Sequence, residues 1–263
     1  MKLISHSTLS VHQQHEFLLK LEDAGLDGKL AQRVISSKDN RLAERIVRMV
    51  EAAGLEEFEP TSSQKNAREI MGKNFFGIEE AIKHFRVNPS RLQLAALSDI
   101  PFSETVLEEL KNTHILVAVF PLAIWEIRNK VERKIFSFLY DGENEMWCQE
   151  CTHLDWQLIR KTPVPDSTSK NWPQQKMLLG ENDEVPRAPV MVYTIIGHYL
   201  STGRPLESNE FLFEDVKVRT SSEIEAGYHI CIGDFDQKGL NVIGVRDDWC
   251  VRNVGVASAR KRL

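Results

Sequence analysis

The sequence predicts an α+β protein with a helical amino-terminal half and a mixed carboxy-terminal domain. Apolar residues recur at helical spacing up to about residue 112 of the 263 in the chain. Residues 113–120 then form an apolar run rich in β-branched side chains that ends at Pro121, as is typical of a buried strand. After residue 215 come short segments bounded by glycines, which predict a small twisted antiparallel sheet.

The composition is that of an ordinary globular protein, with 42% hydrophobic and 27% charged residues. The formal net charge is −5, and no segment has the basic excess that binding to nucleic-acid phosphates requires. No apolar run reaches the roughly 18 residues of a membrane span, and the first residues lack the apolar core of a secretory signal. The sequence therefore predicts a cytoplasmic protein without a membrane span, and it argues against a nucleic-acid partner.

The first predicted region, residues 1–58, contains three short helices. Their apolar spacing places them at 15–24, 26–36 and 39–54. Gly25 follows the first helix, and Gly54 ends the third. Helices of this length are marginal in water on their own, so we expect them to pack on each other or on a partner. Residues 56–63 have the acidic, proline-containing composition of a linker.

The second predicted region, residues 63–112, is also helical. Four residues at helical spacing make one apolar stripe: Ile78, Ala81, Ile82 and Phe85. Ser90 and Gln93 have the spacing of a capping box, and Ser103 is a good N-cap for a further helix. A helix-turn-helix that reads DNA is an alternative here, but the equal numbers of acidic and basic residues argue against it.

The third predicted region, residues 113–263, mixes strands with helices. Helices are expected at 122–138 and 190–200, and the segment 161–169 is expected to be a loop. Strands are expected at 113–120, 154–160, 215–220, 228–234, 240–244 and 254–259. We expect the first and last of these strands to be buried, and to lie as neighbours in the sheet.

The sequence contains no strong metal or catalytic motif. Cys148, Cys151 and His153 have the spacing of half a zinc site, but no second pair follows, so we expect no structural zinc. The acidic pairs in 234–236 and 247–248 could bind a cation, but calcium needs six or more oxygens, which favours solvated turns. Phosphate-binding loops, dinucleotide motifs and hydrolase motifs are absent, so no cofactor and no catalytic residue are predicted.

The end of the chain carries a resemblance to a known family. Residues 233–242 read GDFDQKGLNV and residues 246–260 read RDDWCVRNVGVASAR. The second block resembles the end of a C-type-lectin-like domain of the formylglycine-generating-enzyme type, which closes with Asn-aliphatic-Gly-aliphatic-x-x-Ala-Arg. The wider stretch 70–260 is also similar to uncharacterised prokaryotic proteins, including proteins from metagenomes. The resemblance implies a C-type-lectin-like fold for residues 113–263.

The same ending is similar to the variable proteins of diversity-generating retroelements. That similarity implies a diversified, ligand-binding surface at 241–253, supported by a constant framework strand at 254–260. The implied site residues are Asn241, Ile243, Gly244, Val245, Arg246, Trp249, Cys250, Val251, Arg252 and Asn253. Most of them, from Ile243 to Arg252, are expected to face solvent, while Val254, Val256 and Ala259 are expected to be buried.

The residues themselves leave two interpretations of this stretch open. Residues 240–253 follow no clean strand or helix period, and tryptophan and arginine are enriched at the energetic centres of interfaces. A binding loop held between strands is therefore one interpretation. The other is an ordinary loop in which Trp249 is a core anchor and Arg252 pairs with Asp247.

Three functions follow from these observations. The leading hypothesis is a non-enzymatic protein that binds a protein or other ligand at 241–253 and uses its helical amino terminus for attachment. The second is an oxidase of the formylglycine-generating type, which would need a close cysteine pair with copper, whereas Cys250 stands alone and Cys231 lies a strand earlier. The third is a helical adaptor that binds protein or nucleic acid through residues 1–112. The oligomeric state and the ligand stay open.

Overall fold

The computed structural model describes residues 10–23, 27–36, 42, 44–46, 58–139, 146–203, 212–213 and 215–262. The chain divides into two compact units, Met1–Ala53 and Gly54–Leu263. The larger unit combines helices with two sheets, which confirms the predicted α+β class. Within the described residues, no helix is both long enough and apolar enough to cross a membrane.

Two short helices lie within the described residues 10–36 of the smaller unit. Helix α1 spans Val11–Asp23 and helix α2 spans Gly28–Ile35, close to the two predicted helices. Asp27 caps α2, since its Oδ1 accepts a hydrogen bond from the Leu30 amide at 2.7 Å. The third predicted helix, 39–54, lies mostly outside the described residues, although residues 42 and 44–46 are helical.

The described part of the larger unit contains seven α-helices, and two of them begin at their predicted capping residues. They are α3 Ser62–Met71, α4 Ile78–Phe85, α5 Arg91–Ala96, α6 Glu104–Leu110, α7 Ile124–Lys130, α8 Trp172–Lys176 and α9 Ala188–Thr202. Ser90 and Gln93 form the predicted capping box of α5, and Ser103 caps α6. The predicted apolar stripe of α4 is buried along its length. Helix α9 is buried over its first ten residues, 188–197.

The strands of the larger unit form two five-stranded sheets. They are β1 Phe75–Phe76, β2 His114–Val119, β3 Phe136–Leu139, β4 Asp155–Arg160, β5 Asp183–Glu184, β6 Lys217–Glu225, β7 Tyr228–Asp236, β8 Gly239–Arg246, β9 Val254–Val256 and β10 Ala259–Arg260. The first sheet has the order β1-β2-β4-β10-β5, and the second has the order β3-β8-β7-β6-β9.

The prediction of one small antiparallel sheet is therefore wrong. Each sheet is mixed, because the pairs β1–β2, β3–β8 and β6–β9 are parallel while the remaining pairs are antiparallel. All three parallel pairs use a strand of two to four residues at the edge of a sheet. Strands this short carry little pattern of their own, so their partners and directions are set by the rest of the fold.

Three further predictions are wrong in whole or in part. The helix expected at 122–138 ends at Lys130, and the chain turns extended at Val131 and becomes strand β3 from Phe136. The strand expected at 254–259 is split between the two sheets, as β9 in the second and β10 in the first. Strand β4 separates β10 from β2, so the first and last predicted strands are not neighbours.

One hydrophobic core joins the predicted second and third regions. It contains side chains from α3, α4 and α6 together with side chains from β2, α9 and β7. The indole of Trp156 on β4 donates a hydrogen bond to the Leu97 carbonyl at 2.9 Å, which ties the end of α5 to the first sheet. A Cβ at Gly197 would lie 2.9 Å from the Phe76 ring, so glycine allows α9 to approach strand β1 closely. Residues 63–112 and 113–263 thus share one compact unit.

Candidate functional site

The stretch 241–253 lies at the end of the second sheet and is not a single loop. Residues 241–246 belong to β8 and pair with β7, and a turn and a short irregular segment then lead to β9. Six residues of the stretch are exposed, and one of them is Asp248. The other five are predicted site residues, and we call them the Trp249 face: Arg246, Trp249, Cys250, Arg252 and Asn253.

The other predicted site residues lie on the inside of this face. Val245 is only 4% exposed, so the prediction that it faces solvent is wrong. Ile243 and Val251 are half-buried and pack against a small cluster of Cys231, Val245 and Val254. Asn241 and Gly244 are also half-buried. The reason is that β8 is covered on both sides, since Leu240 and Val242 alternate with these residues and enter the main core.

The three residues predicted to be buried beneath the face are buried, although they lie on two strands. Val254, Val256 and Ala259 are all buried, with exposures of 2%, 0% and 0%. The Val164 amide donates to the Val256 carbonyl at 3.0 Å, and the Val256 amide donates to Ser167 Oγ at 3.1 Å. These bonds attach the loop 161–169 to β9, which follows the Trp249 face in the chain.

A buried arginine organises the Trp249 face from beneath. Arg219, on β6, is 0% exposed. Its Nη2 donates to the carbonyls of Arg246 at 2.9 Å and Trp249 at 2.8 Å, which are the two ends of the turn. Its Nη1 donates to the Lys170 carbonyl at 3.2 Å and to Gln175 Oε1 at 2.9 Å. One guanidinium therefore connects the turn to the loop and helix beside it.

A second buried group holds the same turn through Asp247. His229 Nδ1 and Asp247 Oδ1 are 2.6 Å apart, and the His229 ring packs on Trp172 with centroids 4.2 Å apart. The Trp172 amide donates to the Asp247 carbonyl at 2.9 Å, and the Asp247 amide donates to the Gly227 carbonyl at 2.9 Å. Asp247 is thus engaged by His229, which contradicts the interpretation that pairs it with Arg252.

The exposed side of the turn carries an aromatic and cationic pair. Trp249 is 53% exposed, so it is not the core anchor of the alternative interpretation. The Arg246 guanidinium lies 5.8 Å from the Trp249 ring centroid and 5.9 Å from that of Tyr228. Arg246 Nη2 also donates to Asp248 Oδ2 at 2.9 Å, and this hydrogen bond lowers the pKa of the Asp248 carboxyl. The result is a polar and aromatic surface around Trp249.

The cysteines do not form an accessible pair. Cys148 and Cys231 are buried, and Cys151 and Cys250 are exposed. Burial raises the pKa of the Cys231 thiol to about 12, which keeps it protonated at neutral pH. In the described part of the chain, no three His, Cys, Asp or Glu side chains are placed to hold a metal ion.

A cavity of about 630 Å³ lies elsewhere, between α3, α4 and the end of α9. Arg68 pairs with two carboxylates of the wall, since it donates to Glu79 and Glu80 at 2.6 Å each. The Arg68 guanidinium also lies 4.6 Å from the centre of the Phe75 ring. These contacts tie α3 to α4, and Lys73 and Lys83 also line the cavity.

In comparisons with known proteins, no family model, no curated protein and no solved structure matches the chain. The C-type-lectin-like fold thus stays a prediction.

The sequence did not indicate the residues that hold the Trp249 face, namely Arg219, Gln175, Trp172 and His229. One signal was available: an arginine lies between Val218 and Thr220 in a predicted strand, and it needs polar partners if that strand is buried.

Proposed function

We propose that the chain is a non-enzymatic ligand-binding protein and that the Trp249 face contacts the ligand. One observation carries the proposal: Trp249 is half exposed, while the carbonyl of the same residue is held by the fully buried Arg219. A large apolar side chain on a fixed backbone gains little by folding and much by contact with a partner. Because the backbone is already ordered, binding loses less conformational entropy than at a mobile loop.

The chemistry of the face supports a protein or another ligand with polar and flat apolar surface. Tryptophan and arginine are the residue types that dominate binding energy at interfaces, and here they lie next to each other. Arg252 and Asn253 add hydrogen-bond donors at the margin. The proposal includes a C-type-lectin-like domain, diversification of the exposed residues by a retroelement, and action in the cytoplasm, each resting on the sequence alone.

The helices of the smaller unit support the proposed attachment role. The exposed apolar side chains on α1 and α2 include Phe17, Leu18, Leu19, Leu30 and Ile35. Ile35 is 75% exposed and is the last residue of α2, which has only eight residues. Such helices gain stability when their apolar faces are covered, so this unit suits attachment to another molecule.

The test uses the full chain and two defined probe sets, a random peptide library and a glycan array. Binders selected on the wild type are measured again on Trp249→Ala and on the matched control Leu92→Ala, which removes an apolar side chain that is 83% exposed on α5. We expect most independent binders to lose at least tenfold in affinity with Trp249→Ala and to keep it with Leu92→Ala. Equal losses in the two variants, or none, would contradict the proposal.

A further inference from the structure

The cavity between α3, α4 and the end of α9 has the size of a ligand-binding site. Its volume of about 630 Å³ falls within the range of roughly 300–1,000 Å³ that is typical of pockets for small molecules. Its wall combines charged side chains with the ring of Phe75 and the hydroxyl groups of Ser201 and Thr202. None of its described lining residues belongs to the Trp249 face, so a ligand of this cavity occupies a second, separate site.

The negative charges of the cavity wall are already engaged. The Glu79 carboxylate accepts a hydrogen bond from Arg68 at 2.6 Å, and the Glu80 carboxylate accepts two, at 2.6 and 3.0 Å. Glu80 Oε2 also accepts from the Gly77 amide at 2.8 Å, at the start of α4. The guanidinium lies 4.6 Å from the centre of the Phe75 ring. Arg68 and the two carboxylates therefore form one hydrogen-bonded group.

Two lysines of the wall carry charges that the described residues do not pair. The side chains of Lys73 and Lys83 form no hydrogen bond or ion pair with the residues that the structure describes. Glu79 lies one helical turn before Lys83 on α4, but its carboxylate binds Arg68 instead. Lys73 follows Gly72, which has a φ of +53° and ends α3. The two lysines and Arg68 face two carboxylates, so the wall has an excess of one positive charge.

A histidine adds a neutral polar group beside these lysines. His84 is half-buried, and its ring makes no hydrogen bond with the described residues. Burial, followed by the charge of Lys83, lowers the pKa of His84, so the imidazole is mainly neutral at pH 7. A neutral imidazole has one N–H donor and one acceptor nitrogen. The unpaired groups of the wall thus include two ammonium groups and an imidazole N–H, and these donors suit an anionic ligand.

We propose that this cavity binds a small organic carboxylate. Ammonium groups make charge-assisted hydrogen bonds to carboxylate oxygens, and the unpaired Lys73 and Lys83 supply them. The excess of one positive charge matches a single carboxylate better than a phosphate dianion. The volume of the cavity leaves room for the organic part of the ligand. The Ser201 and Thr202 hydroxyls donate to carbonyls of their own helix at 3.0 and 3.1 Å, so their oxygens can accept from a polar group on that part.

The wild-type chain provides the first test. Its melting temperature is measured with a library of small organic carboxylates that includes benzoate, hexanoate and lactate, and with the amide of each as its neutral counterpart. Phenyl phosphate is the alternative anion, and all measurements share one pH and ionic strength. We expect at least one carboxylate to give a saturable increase that its amide does not give, because a ligand that binds only the folded state stabilises it. Equal effects of every carboxylate and its amide, or an increase with phenyl phosphate alone, would overturn the proposal.

Variants locate the site, using the carboxylate that gives the largest increase. Lys83→Gln combined with Lys73→Gln should weaken its binding about tenfold or more in a calorimetric titration, because both charged donors are lost. Lys83→Arg, which keeps the charge, should retain most of the affinity. The matched control is Lys65→Gln, which removes an exposed lysine of α3 outside the cavity and should leave the affinity unchanged.

A further control separates this site from the Trp249 face. Trp249→Ala should leave the affinity for the carboxylate unchanged, so either proposal can fail without the other. All the exchanged lysines are exposed, and their replacement by glutamine should leave the fold intact. Full affinity in the double lysine variant, or an equal loss in Lys65→Gln, would show that the cavity is not the site.

Discussion

Replacing Arg219 with methionine should release the Trp249 face from its support. Methionine keeps most of the length of the side chain but has no donors, so the four hydrogen bonds to Lys170, Gln175, Arg246 and Trp249 are lost. The Gln175 side-chain oxygen stays buried without its donor. The carbonyls of Arg246 and Trp249 lie at the surface turn, where water can replace the guanidinium in part.

The expected loss of stability is the balance of two effects. Hydrogen bonds from a charged group contribute about 1.5–3 kcal/mol each, and leaving a buried acceptor unpaired costs about 1–3 kcal/mol. In the opposite direction, Arg219→Met removes a buried charge whose hydrogen-bond partners are all neutral. Folding then no longer requires the desolvation of that charge, which stabilises the variant by several kcal/mol. The net loss is about 3 kcal/mol, equivalent to about 6–12 °C in melting temperature for a unit of this size.

The assay combines denaturant unfolding with amide hydrogen exchange. Exchange should accelerate at the Trp249 amide, which donates to the Arg246 carbonyl, and at the Ser169 amide, which donates to the Val251 carbonyl. The matched control is Arg252→Met, the same change at an exposed position, which should stay within about 0.5 kcal/mol of the wild type. A loss below about 1 kcal/mol for Arg219→Met, with unchanged exchange in the turn, would refute the assignment of Arg219 as the support of the face.

Three other predictions follow from burial and titration. Trp249→Ala should change the free energy of unfolding by about 0.5 kcal/mol or less, while Val256→Ala should cost about 1–3 kcal/mol in the same denaturant series. Because burial lowers the pKa of His114 to about 4 in the folded state, the unfolded state binds more protons between about pH 4 and 6.5. The free energy of unfolding should therefore decrease as the pH is lowered from about 6.5 to 4, and His114→Gln should reduce this dependence on pH. Ellman's reagent should titrate two thiols quickly in the native protein, Cys151 and Cys250, and all four after unfolding.

Each of these predictions has a contradicting result. A lower stability for Trp249→Ala than for Val256→Ala would make the turn part of the core. An unchanged slope of stability against pH in His114→Gln would assign the acid sensitivity to other groups, and His12→Gln, which changes an exposed histidine on α1, is the matched control. Rapid reaction of a third thiol in the native protein would mean that Cys148 or Cys231 is accessible.

The parts of the fold that were predictable from sequence are those whose physics is local. The capping box of Ser90 and Gln93 depends on two residues three apart, and the apolar stripe of α4 depends on the helical repeat alone. The continuous apolar run and the β-branched content of 114–119 likewise identify β2 without reference to its partners. In each case the residues that decide the structure are also those that display the pattern.

The parts that failed depend on partners far away in the chain. The sequence pattern predicts one strand over Val254–Val256 and Ala259–Arg260. The structure separates them because β9 pairs with β6 in one sheet and β10 pairs with β4 in the other. Val245 reads as an exposed residue of a mixed-polarity loop, yet the neighbouring strand brings Cys231 against it. The role of Arg219 required contacts with residues 27 to 49 positions away, which no local pattern records.

The structure separates the residues that hold the Trp249 face from the residues that form it. The support comes from Arg219, Gln175, His229 and Trp172, and these are all buried and belong to segments outside 241–253. Arg219 reaches the face through the main-chain carbonyls of Arg246 and Trp249, so these hydrogen bonds do not depend on which side chains the turn carries. Side chains at 249, 250 and 252 can therefore change with little effect on the fold, which is the property that the proposed binding surface requires.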